Sequence, residues 1–109
     1  MAYTLHTLET FDTWLEDLRD NNARIRILAR LKRVEVGNLG DCKSVGSGVS
    51  ELRLDYGQGY RLYYTQRGLV RIVLLCGGDK SSQVRDIARA QSLAADLPDL
   101  PTNQEETTP

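Results

Sequence analysis

Arg53, Arg61 and Lys80 are the residues whose types and spacing best suit work on a phosphate group. Arg53 and Arg61 fall in two short segments of alternating polarity, Val49–Asp55 and Tyr60–Gln66, that read as neighbouring strands. In the first, Leu52 and Leu54 oppose Glu51, Arg53 and Asp55. In the second, Tyr60, Leu62 and Tyr64 oppose Arg61, Tyr63 and Thr65. The polar sides thus bring two guanidinium groups and a phenol together, and a guanidinium donates paired hydrogen bonds to a phosphate. Lys80 lies in Gly-Gly-Asp-Lys-Ser-Ser at an expected helix start, where free N–H groups and the helix dipole favour an anion. The competing use of the same residues is plain cross-strand ion pairing and a capped turn.

Other chemistries find little support. His6 is the one histidine and lies far in sequence from the arginines, so no Ser–His–acid or Cys–His set assembles around it. Asp55, Asp79 and Asp86 are isolated carboxylates, and Cys42 and Cys76 lack zinc-site spacing, so no metal is expected. Gly57-Gln58-Gly59 sits between two strands, whereas a dinucleotide loop needs a helix after it. No cofactor is expected.

The elements that must position the cations follow from periodicity. Tyr3–Leu8 reads as a first strand. Thr10 reads as the cap of a helix over Phe11–Arg19 with a Phe11, Trp14, Leu15, Leu18 stripe. Asp20-Asn21-Asn22 breaks it and caps a second helix, Ala23–Glu35, with Ile27, Leu28, Leu31 and Val34 on one face and Arg26, Arg30 and Arg33 on another. Gly37 stops it. A short strand is expected around Lys43–Val45, then a three-strand meander ending near Cys76, then a helix from Asp79 or Ser81 to about Asp96. The expected class is α+β. Two N-terminal helices pack on one face of a small antiparallel sheet, burying Trp14, Leu28, Leu31, Leu52, Leu62 and Ile72, and the other face stays open around Arg53, Arg61 and Tyr63.

The 109 residues suit one domain, expected over residues 1–97 and followed by a disordered acidic tail over 98–109. A hydrophobic fraction of 40% and a charged fraction of 27% are those of an ordinary globular chain. The net charge of -1 conceals an asymmetry. With Asp99, Glu105 and Glu106 of the tail set aside, the body is mildly basic, which tolerates a nucleic-acid partner without requiring one. No run is apolar and long enough to span a bilayer, and Met1–Thr10 carries no secretory pattern, so the cytoplasm is expected, with both thiols reduced.

The segments G-V-S-E-L-R-L-D-Y-G-Q-G-Y-R-L-Y-Y and V-L-L-C-G-G-D-K-S-S-Q, in this order, resemble the RelE/ParE superfamily of toxins. More closely they resemble its HigB-like "addiction module killer protein" branch, over about Phe11 to Ala95. The resemblance implies a RelE-like toxin neutralised by a cognate antitoxin, usually of helix-turn-helix type. Operator DNA would be bound only through that complex. It also implies mRNA cleavage on the ribosome, by attack of a ribose 2′-hydroxyl on its own phosphate. Arg53, Arg61 and Lys80 match basic positions of the RNA-cleaving members and are the expected catalytic residues. Arg26, Arg30, Arg33, Lys43, Tyr63 and Gln83 are the expected contacts to RNA and ribosome. The general base is open among Glu51, Asp79 and a lysine, since no tyrosine follows Tyr64. A ParE-type inhibitor of DNA gyrase and a non-catalytic antitoxin-binding member are the alternatives.

Overall fold

The structure, a computed structural model, describes residues 2–98. The acidic tail expected over 98–109 lies outside the described residues apart from Pro98. Strand β1 (Thr4–Thr7) leads into helices α1 (Glu9–Glu16) and α2 (Asn21–Glu35). Strands β2 (Cys42–Gly46), β3 (Val49–Leu54), β4 (Tyr60–Arg67) and β5 (Arg71–Asp79) follow. A 3-10 turn, Lys80–Ser82, then opens helix α3 (Gln83–Asp96).

Among the described residues the sheet has five strands in the order β1-β5-β4-β3-β2. Strands β2 to β5 form an antiparallel meander, but β1 pairs parallel with β5. The sheet is therefore mixed, which corrects the all-antiparallel expectation. Short hairpins force neighbouring strands to run antiparallel, and nothing of the kind links β1 to β5.

Local signals explain most boundaries. The Asp20 carboxylate accepts from the backbone N–H of Asn22 and Ala23 at 3.0 and 3.2 Å and starts α2. Gly37, at φ 102°, ends it. Thr10 is not the cap of α1. That position belongs to Leu8, which makes no side-chain cap bond, and the Thr10 hydroxyl donates instead to the Leu75 carbonyl. Strand β5 also runs three residues past Cys76. The glycines there suit the strand because each face of it is closely approached. A Cβ at Gly77 would meet the Trp14 indole, and one at Gly78 the Asp86 carboxylate.

The sheet buries apolar side chains on both faces. Phe11, Ala23, Ile27, Leu31 and Val34 of α1 and α2 cluster with Leu52, Leu54, Leu62, Tyr64, Ile72 and Leu74. Ala90 and Ala94 of α3 cluster with Val49, Tyr63, Val73, Leu75 and Cys76. The second cluster overturns the open face, since α3 covers it. Glu51, Tyr63 and Thr65 are consequently buried. Leu28, expected in the core, is 48% exposed. The buried stripe of α2 runs through positions 23, 27, 30, 31 and 34, so Arg30 occupies the place on the helix that Leu28 was expected to share.

Candidate functional site

Arg53 and Arg61 are register partners across β3 and β4. Like charges directly opposite one another destabilise a strand pair, and each guanidinium here has its own compensation. Arg53 donates from Nε and Nη2 to the Asp41 carboxylate at 3.2–3.4 Å, an exposed pair at the sheet margin. Arg61 is far more enclosed, its side chain only 11% exposed. Its Nη1 donates to the Gly59 and Tyr60 carbonyls at 3.3 and 3.2 Å, and its Nε stands 3.9 Å from Glu51 Oε1.

Glu51 is the buried anchor of this group. Gln83, the first residue of α3, donates to both of its carboxylate oxygens at 3.2 and 3.1 Å. Tyr63 lies beside it, fully buried. Burial first and the Glu51 charge second push its phenol well above the ordinary range, so it stays neutral. A charged pair taken out of water needs such supporting contacts, and α3 supplies them. The E-L-R, G-Y-R and D-K-S-S-Q segments thus meet here because Glu51, Arg61 and Gln83 join β3, β4 and α3.

Lys80 reaches the same corner from β5. The Asp79 side chain caps the 3-10 turn, accepting from the Ser81 N–H at 2.9 Å. The stem of Lys80 lies over Gly59: a Cβ there would be 2.5 Å from Lys80 Cδ and 3.7 Å from Arg61 Nη1. Gly78 is the register partner of Arg61, so Arg53, Arg61 and Gly78 form one row across three strands. The structure therefore gathers Arg53, Arg61 and Lys80 at one sheet corner. Lys80 is exposed, Arg53 is shared with Asp41, and Arg61 is held from behind. Arg85, exposed at the start of α3, borders the same turn and was missed in the sequence because no motif marks it.

The outer contacts divide. Arg26 stacks over the Tyr56 ring at 4.3 Å, and Arg33 is exposed beside it. Lys43 is exposed on edge strand β2, opposite Glu51 in register. Gln83 is half-buried on Glu51. Arg30 and Tyr63 are corrections: both are buried and cannot offer their side chains to a partner from solvent. Arg30 instead donates to the carbonyls of Leu39, Asp41 and Arg53 at 2.8–3.1 Å. Asp41 was also missed. The register Cys42↔Leu52 sets it opposite Arg53, and extending the strand expected at Lys43–Val45 by two residues toward the N-terminus would have found it.

Among the described residues no group of three or more His, Cys, Asp or Glu side chains is placed to hold a metal. No helix among them is long and apolar enough to cross a membrane. The corner offers cations, amides and hydroxyls, which suits an anion whose charge increases during reaction.

No protein-family model matches the chain. An uncharacterized protein of Haemophilus influenzae is 50% identical to it over 97 residues, which is 89% of this chain and 98% of that protein. Among solved structures, a double arginine-to-alanine mutant of Escherichia coli toxin RelE in the free state superposes with a TM-score of 0.67. The match covers 89% of this chain and 100% of that one at 20% identity. The likeness establishes a RelE-like α+β fold, with five strands and three helices among the described residues.

Proposed function

The chain belongs to the family of that Haemophilus influenzae protein and has the RelE-like fold, and we propose that it is the toxin of a type II toxin–antitoxin pair. On this reading it is a cytoplasmic, HigB-like toxin. It halts translation by cutting mRNA on the ribosome, and a cognate antitoxin silences it.

 The antitoxin carries the helix-turn-helix domain, and operator DNA is bound only by the pair.

The single observation that carries this reading is the convergence of Arg53, Arg61 and Lys80 on one corner of the sheet. A phosphodiester set there would face Arg53 and Lys80 at the surface, with Arg61 behind them. In the reaction the ribose 2′-oxygen attacks phosphorus and the P–O5′ bond breaks. The 2′ proton passes to a base and the 5′-oxygen takes up a proton, leaving a cyclic phosphate and a 5′-hydroxyl. Fixed cations stabilise the added negative charge of the phosphorane, and losing one such donor typically costs about 10²-fold in rate. Arg26, Arg33 and Lys43 lie outside this corner and serve as phosphate contacts that orient the protein on ribosomal RNA.

A second reading, a member that binds its antitoxin or gyrase and does not cleave, is favoured by one specific feature. Glu51, a candidate base, is buried and committed to Gln83 and Arg61. Primer extension on translated mRNA after induction separates the two. Discrete cuts that vanish with Lys80→Ala and with Arg53→Ala, in proteins of unchanged circular dichroism, support cleavage. Growth arrest without cuts rejects it, and a supercoiling assay then tests gyrase.

A further inference from the structure

We propose that Asp41 is a built-in competitor for the phosphate at Arg53 and sets which anions the corner accepts. The inference rests on the reading of that corner as RNA-facing. Arg53 uses Nε and Nη2 to hold the Asp41 carboxylate, at 3.3 and 3.4 Å from Nε and 3.2 Å from Nη2. That edge of a guanidinium is one of those that grip a phosphate bidentately. An incoming phosphate that takes this edge must displace the carboxylate.

Asp41 is held there by its backbone. Its carbonyl accepts from the Arg53 N–H at 2.9 Å and from Arg30 Nη2 at 2.8 Å. Arg30 Nη1 donates to the Arg53 carbonyl at 2.8 Å, so one buried guanidinium ties both residues together. Its Nε and Nη2 also hold the Leu39 carbonyl. Gly40 completes the wrap. Its φ is +70°, and a Cβ there would stand 2.9 Å from Arg30 Nη2 and 3.0 Å from Nε.

The side-chain pair itself is open to water, with Arg53 37% and Asp41 59% exposed. Such pairs are weak enough to exchange. An isolated anion gains little by replacing one carboxylate with another anionic group. A phosphodiester backbone that also engages Lys80 gains more than it displaces. Asp41 therefore selects for a continuous nucleic-acid strand over small anions.

Anisotropy titrations of a labelled single-stranded RNA 12-mer test this, using wild type, Asp41→Asn, Arg53→Gln and the double variant over a range of KCl. Asp41→Asn should tighten binding about two- to fivefold. It should also steepen the salt dependence by roughly 0.7 in slope, the signature of one more phosphate contact on a single strand. Neither effect should survive in the Arg53→Gln background. An unchanged affinity, or an equal gain with Arg53 removed, overturns the proposal while leaving RNA binding intact. No RNA binding by any of the four proteins overturns it together with the RNA-facing reading. The expected binding pattern without any mRNA cleavage sinks the cleavage reading alone.

Discussion

The side chain of Lys80 lies on the backbone of Gly59, so that a Cβ at residue 59 would be 2.5 Å from Lys80 Cδ and 2.9 Å from Cγ. The β3–β4 hairpin and the turn after β5 are thereby set against each other at the corner where Arg61 also arrives.

Gly59→Ala should therefore do two separable things. At φ +77° the new Cβ costs about 1 kcal/mol in backbone strain, read as a lower urea midpoint. It also turns Lys80 aside, weakening RNA binding. Lys80→Ala alone should leave stability within about 0.5 kcal/mol. The double variant should stay as unstable as Gly59→Ala, because a lysine stem yields and a backbone dihedral does not. A wild-type midpoint for Gly59→Ala would refute the account.

Gly77→Ala is expected to be the costlier substitution, because its neighbour is rigid. A Cβ there would be 2.5 Å from Trp14 Cζ3, and the indole is bounded by Phe11 and Tyr60 at ring separations of 5.8 and 6.4 Å. Overpacking of this kind costs about 1–3 kcal/mol. Trp14→Leu should recover part of the loss in a double-mutant cycle; simple additivity would show that the two residues do not collide.

Arg30 and Arg33 should respond oppositely. Arg30→Lys loses the fork that holds three carbonyl groups and should cost roughly 2–3 kcal/mol in denaturant unfolding. Arg33→Glu on the exposed face should leave stability within about 0.5 kcal/mol and weaken cosedimentation with ribosomes. Unaltered cosedimentation would remove that face of α2 from the ribosome contact.

Alkaline pH should destabilise the fold through Cys76. Burial first, then the Asp86 charge, raises its thiol from 9.0 to about 11. The folded chain keeps this proton after the unfolded chain has lost it. Stability should fall as pH rises from 9.0 toward about 11, by up to roughly 1.4 kcal/mol per pH unit, and should not vary with pH through this group below that window. Cys76→Ala should flatten the dependence of the urea midpoint. Thiol titration of the native chain near neutral pH should find Cys42 reactive and Cys76 protected.

What the sequence determined by itself was local. Alternation at Leu52–Leu54 and Tyr60–Tyr64 marked the strands and their apolar side. Gly57 and Gly59, both at positive φ, marked the hairpin, and Asp20 marked the start of α2. These signals lie within a few residues of the structure they specify, so they can be read without knowing what lies across the fold.

Only the tertiary structure decided which polar side chains remain at the surface. Glu51, Tyr63 and Arg30 carry polar groups, yet each is enclosed. Gln83 on α3 meets Glu51, the small residues Ala90 and Ala94 let α3 close over Tyr63, and the carbonyls of Leu39, Asp41 and Arg53 receive Arg30. Arg30 already stood at the spacing of the buried stripe, but its charge argued against burial until its acceptors were known. Whether a polar group stays in water depends on partners brought from distant parts of the chain, and the alternation within one strand carries no record of them.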